Sequence, residues 1–136
     1  MDVFPLPPTR LSSPAWFTGE VYTDVVLDGV SPSIMRAMYI RFAPGARTAW
    51  HNHGRGQTLH VTEGRGLIQT RDGLVTEINA GDIVQCPPGE WHWHGAAPDS
   101  FMTHLALYET PGEGDLPDEI GDLVTDDEFN GPRARR

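Results

Sequence analysis

Gly45-Ala46-Arg47-Thr48-Ala49-Trp50-His51-Asn52-His53-Gly54-Arg55-Gly56-Gln57, running on to Gly64, is the stretch that decides the fold. Side chains alternate faces along an extended strand, so His51 and His53 project from the same side. Taken alone, two such histidines are ordinary half-exposed strand residues. Gln57 follows a glycine-containing turn, and a return on the neighbouring strand would aim its amide oxygen at them. A second stretch, Gly81-Asp82-Ile83-Val84-Gln85-Cys86-Pro87-Pro88-Gly89-Glu90-Trp91-His92, ends on another imidazole. Its Pro-Pro-Gly turn would deliver His92 from a separate strand, with His94 sharing that face. Imidazoles converging from two strands are suited to gripping one transition-metal ion.

Outward from these stretches the chain is a series of short apolar segments divided by turn residues. Strands are expected over 16–28, 33–42, 47–53, 57–62, 66–71, 74–79, 82–86, 91–95 and 101–109. The breaks fall at Asp28-Gly29, Pro44-Gly45, Gly54-Arg55-Gly56, Glu63-Gly64, Asp72-Gly73, Ala80-Gly81, Pro87-Pro88-Gly89 and Ala97-Pro98-Asp99. Asp72-Gly73 is a hairpin signal, because Asp-Gly accepts the positive φ of the favoured two-residue turn. Many short strands with Gly/Pro turns indicate an all-β sandwich or barrel. Residues 1–15, with Pro5, Pro7, Pro8 and Pro14, read as an extended arm, 16–109 as the barrel and 110–136 as an acidic tail of one domain. Helix is confined to that tail, where Thr125-Asp126-Asp127-Glu128 has capping-box spacing.

The chain has 136 residues and a net charge of −9, from 10 basic and 19 acidic residues. That balance disfavours nucleic acid and anionic membranes as partners. There is no lysine, which excludes Schiff-base and lysine-base chemistry. No apolar run reaches the roughly 18 residues of a membrane helix, and no secretory signal is visible at the N-terminus. With Cys86 as the single cysteine, an internal disulfide is excluded and a reducing cytoplasm is expected. Cys86 itself reads as inert packing.

The two quoted stretches resemble the two cupin motifs, Gly-x5-His-x-His-x3-Glu-x6-Gly and Gly-x5-Pro-x-Gly-x2-His-x3-Asn. Every spacing matches; Gln57 stands where cupins usually carry Glu, and Ala96 where they often carry Asn. The resemblance implies a jelly-roll-like antiparallel β-barrel with a metal inside its mouth, held by His51, His53, Gln57 and His92. Three neutral imidazoles and an amide would leave a divalent ion its full charge, favouring Lewis-acid chemistry and anion binding over electron loss.

Face parity sketches the pocket beyond these ligands. Met102, His104, Ala106 and Tyr108 share one face of the last strand, and Met38 and Ile40 face the same interior. His104 reads as a base, an isolated imidazole of near-neutral pKa, or else as a buried structural histidine. His94 reads as a second acid/base group or a partner of the ligands. Thr48 could orient a substrate oxygen. Trp50, Trp91 and Trp93 are expected to face outward, covering the barrel or making a subunit interface.

A closer resemblance lies in Trp16-Phe17-Thr18-Gly19, Pro44 to His51, Gly56-Gln57-Thr58-Leu59, Pro88-Gly89-Glu90 with His92 to Pro98, and Met102 to Ala106. These strings are similar to bacterial manganese-dependent cupin hydroxynitrile lyases. The likeness implies a metal-dependent lyase that cleaves or forms cyanohydrins, with Thr48, His94 and His104 in the active site. The departures are Met38, Ile40 and Tyr108, bulky where that family is smaller or more polar. An iron-dependent dioxygenase and a non-catalytic metal- or small-molecule-binding cupin are the alternative readings. The expected cofactor is one divalent ion per chain, Mn2+ first and Fe2+ next, then Ni2+ or Zn2+. The expected partner is a small-molecule substrate, and the expected assembly a homodimer or homotetramer.

Overall fold

The computed structural model describes all 136 residues. The strands are β1 (Arg10–Leu11), β2 (Phe17–Thr18), β3 (Val21–Asp28), β4 (Met35–Phe42), β5 (Arg47–Asn52), β6 (Gln57–Thr70), β7 (Thr76–Asn79), β8 (Ile83–Cys86), β9 (His92–Ala96), β10 (Met102–Glu109) and β11 (Glu119–Leu123). One short helix, α1, covers Asp126–Phe129. All strand pairings are antiparallel and run in the order β1-β3-β4-β10-β6-β9-β5-β11. β2 joins β5, and β7 and β8 join β6. The result is an all-β, curled antiparallel sheet.

β6 is the element that curls it. Two strands were expected here, divided at Glu63-Gly64, but the chain runs through as one strand of 14 residues. Its first half pairs with β8 and β10, and its second half with β7 and β9. Gly64 marks the handover with φ +75°, and a Cβ there would lie 1.9 Å from the Phe101 carbonyl oxygen. The break residue is therefore a bend rather than a turn, and the β10 register slips two residues before it, at Thr62, between Thr103 and His104.

The Asp72-Gly73 hairpin exists, but its turn differs from expectation: neither residue has positive φ. Pairing of β6 with β7 stops at Ile68 and Thr76. Val75 is drawn away instead, donating to Pro132 O and accepting from Ala134 N–H. The C-terminal segment thus takes the backbone groups that a tight hairpin would have used. Two further strands were not foreseen. β1 pairs part of the N-terminal arm with β3, and β11 pairs part of the acidic tail with β5. The helix expected in the tail forms, with both hydrogen bonds of the Thr125–Glu128 capping box present.

The apolar core has two parts. Val21, Ile40, Phe42, Leu59, Val61, Met102 and Ala106 fill the inside of the sheet. Trp50, Leu67, Val75, Trp93, Val124 and Phe129 pack on the opposite face of β5, β6 and β9. Trp50 and Trp93 do leave the barrel interior, as parity requires, but they are buried under this chain's own β11–α1 segment. They are not free for a subunit interface. Trp50 Nε1 donates to Glu128 and Trp93 Nε1 to Gln69, so neither indole N–H is left without a partner. Arg47, also buried, donates to Val124 O and pairs with Asp126.

Candidate metal and substrate site

His51 on β5 and His92 on β9 are direct cross-strand partners, and their ring centroids are 4.4 Å apart. His53 lies just beyond the end of β5, and its ring is 5.3 Å from that of His51. The ligand-capable atoms of all three lie within 4.8 Å of one another. Gln57 opens β6, with its Oε1 3.3 Å from His92 Nε2. The structure therefore brings together all four residues that the spacing singled out.

The hydrogen bonds fix the tautomers. His51 Nδ1 is 2.9 Å from Ala49 O, and His92 Nδ1 is 2.8 Å from Glu90 O. A carbonyl only accepts, so both Nδ1 atoms carry the proton and both Nε2 atoms present lone pairs. Burial is the first cause holding the imidazoles neutral: it lowers His51 to about 3 and His53 to about 4, and it lowers His92 as well. Repulsion from His92 adds to the fall at His51. Neutral imidazole is the metal-binding form. His92 Nε2 and Gln57 Oε1 are then two acceptors facing each other with no proton between them. A cation satisfies that arrangement, so the donor set fits a transition ion.

The site opens into a cavity of about 450 Å3. Met38, Ile40 and Tyr108 line it as expected, with Thr48 and His94. Met102 and Ala106 do not: both belong to the interior core cluster, completely buried. Parity put them on the inward face correctly, but the barrel is packed solid at their depth. Leu11 of the arm and Trp16, the residue just after it, form part of the wall, as do Asp118 and Ile120 of the C-terminal segment.

His104 is not isolated. Its Nε2 lies 3.0 Å from His94 Nδ1, and it is absent from the cavity lining, whereas His94 is part of it. His94 Nε2 and His104 Nδ1 are buried without partners. The near-neutral pKa expected for His104 is also corrected: burial lowers it to about 3. His94 is lowered well below the ordinary imidazole value, by burial first and then by the neighbouring imidazoles. Phe42 packs on both rings, at 5.9 Å and 5.4 Å. Thr48 Oγ1 accepts from the His94 backbone N–H at 3.2 Å, tying the threonine to that histidine. Cys86 is buried, and its thiol is pushed up to about 12, so it stays protonated.

Asp118 escaped the sequence reading. Its Oδ1 accepts from Gly54 N–H at 2.8 Å and lies 3.8 Å from His53 Nδ1. It stands far along the chain from His53, and no local pattern marks it.

An antiparallel barrel that holds three imidazoles in its mouth defines the class. The chain matches the cupin domain family over residues 38–107 and belongs to that family. It is similar to an (R)-mandelonitrile lyase from Granulicella tundricola, 52% identical over 94 residues, which cover 69% of this chain and 72% of that protein. A gentisate 1,2-dioxygenase from a Ralstonia species is 29% identical over 68 residues, 50% of this chain but only 19% of the dioxygenase. Among solved structures, a cupin-like protein from Thermotoga maritima superimposes with a TM-score of 0.83, at 35% identity and covering 96% of each chain.

Proposed function

We propose that this protein is a metal-dependent lyase of the hydroxynitrile lyase type, cleaving or forming cyanohydrins. The observation that carries the reading is the adjacency of the three-imidazole cluster to a cavity that His94 also lines, its Nε2 buried and without a partner. The 52% likeness to an (R)-mandelonitrile lyase supports the same reaction. His51, His53, Gln57 and His92 would hold one divalent ion, Mn2+ first and Fe2+ next. When bound, that ion supplies Lewis-acid stabilisation of negative charge in a ligand set without a carboxylate.

The chain's own residues handle the proton. In the tautomer in which its Nδ1–H is donated to His104 Nε2, His94 presents a lone pair at Nε2. In cleavage Nε2 takes the hydroxyl proton as the carbon–carbon bond breaks and its electron pair leaves with cyanide. The same proton then returns to cyanide, so aldehyde and hydrogen cyanide leave in balance. His104 fixes the His94 tautomer, and Thr48 steadies the His94 backbone. Met38, Ile40 and Tyr108 exclude water and bind the apolar part of the substrate.

The test is release of benzaldehyde from mandelonitrile by protein loaded with Mn2+, monitored by its ultraviolet absorbance. No turnover in fully loaded protein overturns the reading. The distant dioxygenase likeness favours one alternative, and oxygen uptake by anaerobically iron-loaded protein would select it.

A further inference from the structure

We propose that Asp118 is a positioning residue for the metal centre, acting through His53. The inference rests on the metal-dependent function proposed for the site and extends it to the C-terminal segment. His51 and His92 each have Nδ1 fixed by the carbonyl two residues earlier, Ala49 and Glu90. His53 has no such bond: its Nδ1 is buried and unpartnered. The Asp118 carboxylate oxygen stands 3.8 Å away. A movement of about 1 Å brings it to hydrogen-bond length, and an ordered water would bridge the same gap.

The carboxylate is held in place. Its Oδ1 accepts from Gly54 N–H at 2.8 Å. The backbone just before it runs so close to the ligand turn that a Cβ on Gly54 would lie 1.6 Å from Leu116 O. Asn52, next to His53, is tied to the same segment, donating to Pro117 O at 3.2 Å and accepting from Trp91 Nε1 at 3.0 Å. On its other side, the His53 ring rests against Tyr108, with centroids 4.9 Å apart. A carboxylate bonded to the distal nitrogen of a ligating histidine fixes its orientation and raises its basicity. Here it also brings a negative charge beside a ligand set in which Gln57 replaces the customary carboxylate.

Titration of Mn2+ into metal-free protein, against a chelating dye, tests this without any activity assay. Asp118→Asn keeps an oxygen for Gly54 N–H but removes the charge, and it should weaken Mn2+ binding by about tenfold or more, within the 10–100-fold scale of such partners. Asp118→Ala should weaken it further. Glu119→Gln removes the same charge from the cavity wall, where the carboxylate makes no ion pair with His53, and should have a much smaller effect. In Zn2+-loaded protein the His53 Nδ1–H should give a protected proton resonance that Asp118→Ala abolishes. Wild-type affinity in Asp118→Asn, or a loss no larger than in Glu119→Gln, overturns the proposal. Failure of the wild-type chain to take up either ion removes the metal-dependent function, and this proposal with it.

Discussion

His104 Nε2 and His94 Nδ1 face each other at 3.0 Å inside the barrel, so the two imidazoles share one proton between them. Only His94 reaches the cavity. His94→Ala is therefore expected to lower lyase turnover by about a hundredfold to ten-thousandfold, the scale of a lost proton-transfer group. His104→Ala should cost less, because it frees the His94 tautomer without removing the base. Both variants should keep their metal, checked by elemental analysis alongside kcat. A larger loss in His104→Ala than in His94→Ala would make His104 the group that handles the proton.

The facing acceptors of His92 and Gln57 lead to a second expectation. His51→Ala, His53→Ala and His92→Ala should each empty the site, since Mn2+ and Fe2+ are weakly held ions that need the full set. Gln57→Ala should retain part of its metal, because an amide is the poorest of the four donors. Full metal content in His92→Ala would refute the ligand assignment.

Acid should unfold the metal-free protein earlier than its carboxylates alone would dictate. The folded pKa values of His51, His53 and His104 lie at about 3, 4 and 3, below the unfolded value near 6.5. The unfolded chain thus binds more protons below pH 6.5. The stability contributed by these neutral imidazoles is complete above pH 6.5 and is lost as pH falls towards 3. Each such group lowers stability by up to about 1.4 kcal/mol per pH unit inside that window. Urea midpoints should be flat from pH 8 to 7 and fall between pH 6.5 and 5, before Asp82, held down to about 2 by Arg136, begins to count. A flat profile down to pH 5 would contradict the buried neutral cluster.

Phe129 closes the second core over Trp93, at 5.8 Å between rings, with the Arg47 guanidinium 4.7 Å above its own ring. Phe129→Ala should destabilise the fold by about 3–5 kcal/mol and shift tryptophan emission to the red as Trp50 and Trp93 meet water. Unchanged emission would show that the tail does not cover them.

Self-association is the remaining expectation. Tyr22, Val26, Leu27, Met35 and Tyr39 are exposed apolar residues on β3 and β4, a surface suited to pairing with another copy. Sedimentation at micromolar concentration should give the mass of two or four chains; the single-chain mass of 15.0 kDa would refute it.

The legibility of these features in the sequence depends on their range along the chain. His51 and His53 were readable because strand alternation is local, and His92 because a Pro-Pro-Gly turn sets the start of the next strand. Parity gives the side of a strand but not the depth. Alternation therefore turns Met102, His104 and Ala106 inward, whereas the cavity is lined by His94 and by none of these three. β11 was hidden because Glu119-Ile120-Gly121-Asp122-Leu123 has no regular apolar alternation; its strand character comes from pairing with β5. The same tail decides the fate of Trp50 and Trp93, which no local pattern could reveal.

The cavity wall is divided between two kinds of sequence. Of its histidines, His51 and His94 stand on β5 and β9, whose other faces carry Trp50 and Trp93, so changes there disturb the second core as well. Leu11 in the arm, Trp16 just after it and Ile120 in β11 touch the same cavity yet remain exposed outside both cores. Under the lyase function proposed above, substrate preference can therefore drift or be redesigned through these flanking positions while the metal-ligand residues are left untouched. A saturation library restricted to Leu11, Trp16 and Ile120 would explore new substrates at little cost in folded protein.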